Sequence, residues 1–420
     1  MEKIILENFR CFKNHTEVEL KPLTLLVGEN STGKTSFLAG IQSAASLTYM
    51  ESKGGPDFNK EPFNLGAYDQ IASFAGGKGG RAKNFIIGFE SCILHKKAWK
   101  GFRLEATFER KRGQPSISEL FIKDLASNIE QTARFDPQAE KIRIIQKKGE
   151  TKEVIEKTPR SVFHWPYWPA MMVIDFLSSI DKEFNNYSDL FGPNKTYAIA
   201  PVRTKPERTY DPKTDIARPE GNHVPVLLRQ IYEQKDTWSK VDSSIKEYGT
   251  KSGLFKKIAV RSLGGEADPF QIRVKVAGAP NNLIDVGYGV SQVLPLLVDS
   301  IMRDEKLILL QQPEVHLHPR AQAELGTFLA LQAKAKEKKF IIETHSDHII
   351  DRICLDIRDK TTGLSSDDVI ILYFQRTSHK PWVNIWPIKI DQAGNIKDAP
   401  KGYREFFLKE QGRLFLPKLS

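Results

Sequence analysis

Apolar and polar residues alternate in short bursts at the start of the chain. Lys3 to Ile5, Thr16 to Leu20 and Leu23 to Val27 read as three strands parted by turn residues. From Lys34 to about Ser46 the spacing changes to that of a helix. A polar, glycine-rich stretch from Glu51 to Lys83 precedes alternating runs at Phe85 to Phe89, Phe102 to Phe108, Ile117 to Ile122 and Ile142 to Ile145, which predict an antiparallel meander. Helical spacing returns over Met171 to Phe191, and again over Val224 to about Tyr248 with a polar interruption near Lys235. Neither stretch sustains the heptads of a long coiled coil. Strands are expected at Ile258 to Val260 and Phe270 to Val276. From Asp285 onward strand and helix alternate: a helix after Val290, strand Leu307 to Leu310, helix Arg320 to Lys336, and strands Phe340 to Glu343 and Val369 to Phe374. That alternation marks a parallel sheet with crossover helices. The expected organisation is an α/β fold with a mixed core sheet: an N-terminal lobe over 1–150, a helical insertion over 151–255 and a C-terminal lobe over 256–420.

Composition narrows the class without naming a chemistry. A chain of 420 residues accommodates two or three domains, or one large domain with insertions. Hydrophobic residues at 40% and charged ones at 27% set it apart from disordered and fibrous chains. No apolar run approaches the roughly 20 residues of a bilayer crossing, so no membrane partner is expected. The start lacks the apolar region of a secretory signal. Cys11, Cys92 and Cys354 are scattered and never form a Cys-x-x-Cys pair, which points to a reducing, cytoplasmic setting rather than a disulfide framework. The net charge of +10 makes nucleic acid a candidate partner, but spread over this length it serves equally as a solubilising surface.

The sharpest signal is Gly28-Glu29-Asn30-Ser31-Thr32-Gly33-Lys34-Thr35, followed by Ser36 and set between an apolar strand and a helix. A glycine, four residues, then Gly-Lys-Thr is the pattern of a loop that curls backbone N–H groups around phosphate oxygens. The helix start adds a favourable dipole, Lys34 a cation for the outer phosphates, and Thr35 a hydroxyl for Mg2+. ATP and Mg2+ are therefore the expected cofactors. Downstream, Gly287 and Gly289 open a helix that continues through Ser291 and Gln292. A helix-capping turn is the plain alternative for that pair. Gln311-Gln312-Pro313-Glu314-Val315-His316-Leu317-His318-Pro319 then follows strand Leu307 to Leu310, and Thr344-His345-Ser346 follows strand Phe340 to Glu343. His316, His318, His345 and His348 also admit a metal reading, since imidazoles at such spacings share ions.

In this order the segments resemble the ATP-binding-cassette heads of the RecF, SMC and overcoming-lysogenization-defect ATPases. They look most like stand-alone ATPases of bacterial antiphage systems such as Septu and PARIS. The resemblance covers Ile4 to Phe12, the glycine loop and about Leu283 to Arg352, with a weaker likeness at Ala200-Pro201-Val202-Arg203. It implies a homodimer or larger ring in which each nucleotide lies between one copy's glycine loop and the other's Gly287 to Gln292 turn. Gly287 stands where a serine is usual, with Ser291 as a substitute. His316 to Pro319 resembles the loop that crosses the interface, His345 a switch histidine at the outer phosphate, and Gln70 a magnesium-sensing glutamine. Arg10 is a further residue that could reach nucleotide or partner.

One departure bears on activity. Such heads usually end the strand before Pro-Glu in two acids, one holding Mg2+ and one activating water; here Gln311 and Gln312 occupy both places. An amide takes no proton near neutrality, and a positioned base is worth about 10²–10⁴ in rate. Glu343 is the leading substitute, because a period of two puts it on the same side as His345; Glu314 is the second. Slow hydrolysis, with ATP closing a dimer that governs a separate effector such as a nuclease, is the expected function. About 75 residues follow His345, too few for the Toprim domain that overcoming-lysogenization-defect nucleases carry. A non-hydrolysing nucleotide-bound scaffold and a RecF-like DNA-repair clamp are the alternatives.

Overall fold

The computed structural model describes residues 1–48, 56–77, 79–95, 98–136, 141–157, 172–173, 175–176, 178–179, 195–213, 216–376, 382–405, 409 and 412–413. Strand β1 (Lys3–Glu7) pairs antiparallel with β2 (Thr16–Glu19), Ile4 opposite Val18. On its other edge β1 meets β4 (Asn84–His95), which opens a meander through β5 (Ala98–Lys111), β6 (Gln114–Asp124), β7 (Glu130–Asp136), β8 (Lys141–Lys148) and β9 (Thr151–Lys157). The eight strands form one antiparallel sheet in the order β2-β1-β4-β5-β6-β7-β8-β9. Its inner face follows the period of two: Phe102, Leu104, Ala106 and Phe108 of β5 are buried, while Arg103 on the opposite face pairs with Glu17 and Glu90.

The second sheet runs β10 (Thr196–Ile199), β14 (Leu307–Gln311), β15 (Lys339–Glu343), β3 (Leu23–Gly28), β16 (Val369–Arg376), β17 (Val383–Ile390) and β18 (Ile396–Lys397). It is parallel from β10 to β16 and antiparallel beyond. Both faces are covered. Leu26, Leu309, Ile341 and Leu372 face one core, and Leu25, Ile308, Ile342 and Ile371 face the other. That double burial is why these strands read as unbroken apolar runs. Helix α1 (Lys34–Ser46) lies between the two sheets, touching β1 and β4 on one side and β3 and β15 on the other. Every residue from Phe37 to Ala45 is consequently buried, as expected of a helix with no solvent face. A short helix, α2 (Tyr68–Ile71), lies ahead of the meander.

The far core is closed by α3 (Val224–Glu233), α4 (Lys235–Ser252), α5 (Tyr288–Met302), α6 (Pro319–Lys336) and α7 (Asp347–Asp359), with a small sheet of β11 (Lys257–Ser262), β12 (Phe270–Lys275) and β13 (Asn281–Asn282). The molecule is thus α/β with a mixed core sheet and an antiparallel meander. Two expectations need correction. The meander has six strands rather than four runs, because β7 and β9 are mostly polar. The span 151–255 is not wholly a helical insertion either: β9 completes the meander, and β10 is the edge strand of the core sheet, parallel to β14. Of the helix expected over 171–191, residues 172–173, 175–176 and 178–179 are helical and the rest lies outside the described residues. Among the described residues no helix is long and apolar enough to cross a membrane.

Candidate nucleotide site

The glycine loop is shaped by what surrounds it. At Gly28 (φ 140°) a Cβ would lie 2.4 Å from the Phe374 carbonyl oxygen on β16, and at Gly33 (φ 95°) it would lie 2.5 Å from Cys11 Sγ. Only glycine satisfies both the positive φ and the close approach. Helix α1 starts at Lys34 with Gly33 ahead of it and no side-chain cap, which leaves the first-turn N–H groups for a ligand. Lys34 is folded inward. Its Nζ donates to the carbonyls of Gly28 at 2.9 Å and Glu29 at 2.7 Å, and burial lowers its proton affinity while Glu343 and Glu29 hold it up. Thr32 braces the loop by donating to the Glu29 carbonyl.

A cavity of about 440 Å³ opens on the loop, lined by Ser31 to Ser36 together with Arg10, Gln70, Phe74, Arg81, Glu343 and Arg376. Arg10, Lys34, Arg81 and Arg376 put four cations on a wall that holds one carboxylate, which suits a polyanion. Arg376 also donates to the Ser31 carbonyl, and Phe74 is 40% exposed, an apolar surface for a base. Arg81, Arg376 and Phe74 escape sequence reading because nothing in their local pattern marks them; topology alone brings them here. The Thr35 hydroxyl lies 2.9 and 3.1 Å from the two Glu343 carboxylate oxygens. Hydroxyl plus carboxylate is the hard-oxygen donor set that Mg2+ takes. The residues present therefore fit a nucleoside triphosphate with its metal.

Strand order explains how Glu343 arrives there. β15 separates β3 from β14, with Glu343 level with Gln311 on one side and Leu26 on the other. Gln311 is buried one strand further from the loop. At Gln312 (φ 42°) the chain leaves β14, and its N–H donates to the Glu343 carbonyl. Glu314 is also buried; its Oε1 accepts the His345 N–H at 2.7 Å, and its Oε2 has no partner. Burial raises the proton affinity of both carboxyls. Thr35 and Lys34 oppose that at Glu343, and the His345 N–H opposes it at Glu314. The shared side expected for Glu343 and His345 is not seen, because β15 ends at Glu343. His345 instead lines a second cavity of about 280 Å³ with Gly28, Glu29 and Tyr373.

His345 carries a testable charge effect. Partial burial and the Lys34 ammonium hold its imidazole below its ordinary value of 6.5, so it is neutral in the free protein near pH 7. A phosphate anion beside it would push that value up. Protons are then taken up on binding, and affinity rises as pH falls through the window between the two values. Calorimetry in buffers of different ionisation enthalpy is expected to show more proton uptake on ATP binding for the wild type than for His345→Gln. Equal uptake would remove His345 from the outer phosphate.

Gln70 faces the cavity with its side chain already engaged: Oε1 accepts the Ala67 N–H at 2.9 Å and caps α2. A metal-sensing contact requires that cap to open. Asn30 belongs to the same loop without a side-chain bond of its own among the described contacts.

The glycine turn before α5 and the loop after β14 lie side by side. Gly287, Tyr288, His316, His318 and Pro319 are exposed, and the Tyr288 ring stands edge-on to His316 at 4.9 Å. A Cβ at Gly289 would come 2.9 Å from the His316 carbonyl oxygen, whereas one at Gly287 meets nothing within 4 Å. Gly289 is therefore required by packing inside this chain, and Gly287 is the position open to a partner. The expectation that Ser291 offers its hydroxyl outward is corrected: it is 4% exposed, and its Oγ donates to the Tyr288 carbonyl at 2.8 Å. His318 caps α6 through the Ala321 N–H, and among the described residues no group of three or more His, Cys, Asp or Glu side chains could hold a metal.

The AAA ATPase domain family matches residues 1–61, and the family described as AAA domain, putative AbiEii toxin, Type IV TA system matches residues 211–351. No curated protein matches the sequence. Among solved structures, the chain is similar to an SMC head bound to the C-winged helix domain of ScpA at 11% identity and a TM-score of 0.48, covering 93% of this chain and 98% of that one. The SMC head domain from Thermotoga maritima gives 12% identity and a TM-score of 0.40 over 93% and 99%. A head domain with an extended coiled coil bound to the C-terminal domain of ScpA from Pyrococcus furiosus gives 11% and 0.46 over 98% and 99%. Both segments that the fold joins around the glycine loop are thus similar to AAA ATPase domains, which supports nucleotide binding and ATPase function for this chain.

Proposed function

We propose that the protein is a nucleotide switch of the ATP-binding-cassette type. Two copies close on ATP and Mg2+, each glycine loop meeting the other copy's Gly287 to Gln292 turn and His316 to Pro319 loop, and the closed state governs a separately made effector. The observation that carries this reading is the Thr35–Glu343 contact beside Lys34: a carboxylate stands at the metal side of the phosphate loop although Gln311 and Gln312 bring none. Bound Mg2+ supplies charge neutralisation at the outer phosphates. The chain's own groups do the rest. Lys34 and the α1 N–H groups hold the phosphates, Arg10, Arg81 and Arg376 neutralise the rim, and Thr35 would hold the metal, with Glu343 beside it to accept from water. Glu343 is the candidate proton acceptor, since burial brings a carboxyl closer to the working pH of a base. The resemblance to stand-alone ATPases of bacterial antiphage systems makes prokaryotic defence the setting we favour, with a nuclease as candidate effector, a cytoplasmic location and nucleic acid as a trigger or co-ligand.

A non-hydrolysing scaffold is favoured by one observation, the amides at Gln311 and Gln312. Steady-state phosphate release separates the two. The switch is expected to associate on adding ATP and Mg2+ and to turn over well below the roughly 10 s⁻¹ typical of enzymes; a folded wild type that binds ATP without associating would overturn the closed-dimer reading.

Assembly has a sharper test at Gly287. Since the turn has open space there within its own chain, Gly287→Arg should leave the fold and ATP affinity intact while abolishing ATP-driven association in sedimentation. Undiminished association would show that this turn does not meet a partner's nucleotide.

A further inference from the structure

Residue Arg203 is 2% exposed, and none of its three guanidinium nitrogens has a hydrogen-bond partner. Fully buried guanidinium groups cost several kcal/mol unless they are paired and hydrogen-bonded (about that order). A carboxyl stands nearby with the complementary vacancy: Glu314, 9% exposed, has an unpartnered Oε2. Each group shifts the proton affinity of the other by its charge, yet they form no ion pair in this state. Their two backbones are held by different parts of the site. Gln292, on the third residue after Gly289, is completely buried and clamps the main chain of Arg203: its Oε1 accepts the Arg203 N–H at 3.2 Å and its Nε2 donates to the Arg203 carbonyl at 3.5 Å. Glu314 holds the His345 N–H through Oε1.

We propose that Arg203 is a positioning residue that ties the helix carrying the exposed glycine turn, α5, to the Glu314–His345 side of the nucleotide site. Any displacement of α5 on meeting a partner moves Arg203 with it, because Gln292 grips the Arg203 backbone. Bringing the guanidinium fork onto Glu314 Oε2 satisfies two orphaned groups at once and fixes the carboxyl that holds the His345 backbone. Packed interiors respond to displacement by switching between discrete arrangements rather than deforming smoothly. The unpaired state is then the open one and the paired state the closed one. The groups facing Glu314 are Arg203, the Thr344 hydroxyl, its own N–H and that of His345, Glu343 and Lys34; of these Arg203 is the cation whose guanidinium nitrogens have no partner. This inference rests on the proposed closure of two copies on ATP.

Four full-length proteins test it: wild type, Arg203→Gln, Glu314→Gln and the double variant, with Arg203→Lys as a charge-keeping fifth should Arg203→Gln fail to fold. ATP affinity is expected to stay within about twofold in all of them, since neither group lines the glycine-loop cavity. Single-turnover hydrolysis is expected to fall at least tenfold in each single variant and no further in the double, the non-additivity of two residues acting through one contact. Lysine, which lacks the fork, is expected to restore only part of the rate. Multiplicative losses in the double variant, or a rate loss matched by an equal loss of ATP affinity, would overturn the proposal. If the wild type neither associates nor turns over with ATP, the switch reading fails and this coupling fails with it, whereas a wild type that associates and turns over while the double variant shows multiplicative losses overturns the coupling alone.

Discussion

Lys34→Ala is expected to remove measurable ATP binding at concentrations where the wild type saturates, a loss of about 10²–10⁴ in affinity if two charge-assisted phosphate contacts are worth about 1.5–3 kcal/mol each. The structure adds a reason beyond the missing cation. In the free protein the Lys34 ammonium is buried and holds the Gly28 and Glu29 carbonyls together from inside the loop. Alanine deletes that staple as well as the charge, so the loop also loses the curl that presents its N–H groups. Two measurements separate the effects. Calorimetry reads the affinity, and thermal midpoint without nucleotide reads the fold, which should change little because α1 is anchored by Phe37 to Ala45 between two sheets. Undiminished affinity in a folded variant would sink the assignment of the loop.

Much of the framework around that lysine is legible in the chain. A loop with glycines at two fixed places, bounded by Leu23 to Val27 and by a helical run, identifies itself because the backbone demands glycine there and the flanking elements bury both their faces. The same holds for Leu307 to Leu310 and Phe340 to Glu343, whose unbroken apolar runs announce a sheet covered on both sides. Polar strands are harder. β7 and β9 belong to the meander through their hydrogen-bond ladder rather than through a buried face, so they leave little period-two signal. β10 is four residues long and joins the core sheet from a segment otherwise read as insertion, a long-range pairing that no local pattern reports.

The site divides along the same line. Residues on contiguous motifs, Gly28 to Ser36 and Gln311 to Pro319, are found by spacing. Arg81 and Arg376 converge on it from separate strands and loops, and only the folded topology shows them; Arg203 lies in a segment whose likeness the sequence offers, but its burial beside Glu314 does not show there. Direction is lost too: sequence places Ser291 and Gly289 on an interaction turn, but helical geometry turns the Ser291 hydroxyl back onto Tyr288, and Gly289 is spent on the His316 carbonyl. What remains outward is Gly287 and the Tyr288–His316 pair.

Substituting Glu343 should have the largest effect on chemistry. Glu343→Gln is expected to remove most single-turnover hydrolysis, a fall of about 10²–10⁴ if it is the positioned base, while ATP still binds. The amide keeps the shape and can still accept from Thr35, so neither the loop nor the register of β15 against β3 and β14 is disturbed. What it loses is the charge that faces Lys34 and the capacity to take a proton. Two companion variants assign the loss. Gln312→Glu returns an acid to the end of β14, and it should raise the wild-type rate and rescue part of the Glu343→Gln loss if a base at either place can serve. Glu314→Gln removes the other buried carboxylate while its amide oxygen can still accept the His345 N–H, so it should slow hydrolysis through the lost charge facing Arg203 rather than abolish the proton transfer. The pH profile separates the roles. Burial raises the Glu343 carboxyl above its ordinary value in the free protein; if it is the base, the wild-type rate should show an acid limb that disappears in Glu343→Gln. If fast hydrolysis survives the loss of both Glu343 and Glu314, neither carboxylate is the base, and catalysis rests on positioning by Lys34, Thr35 and His345 alone.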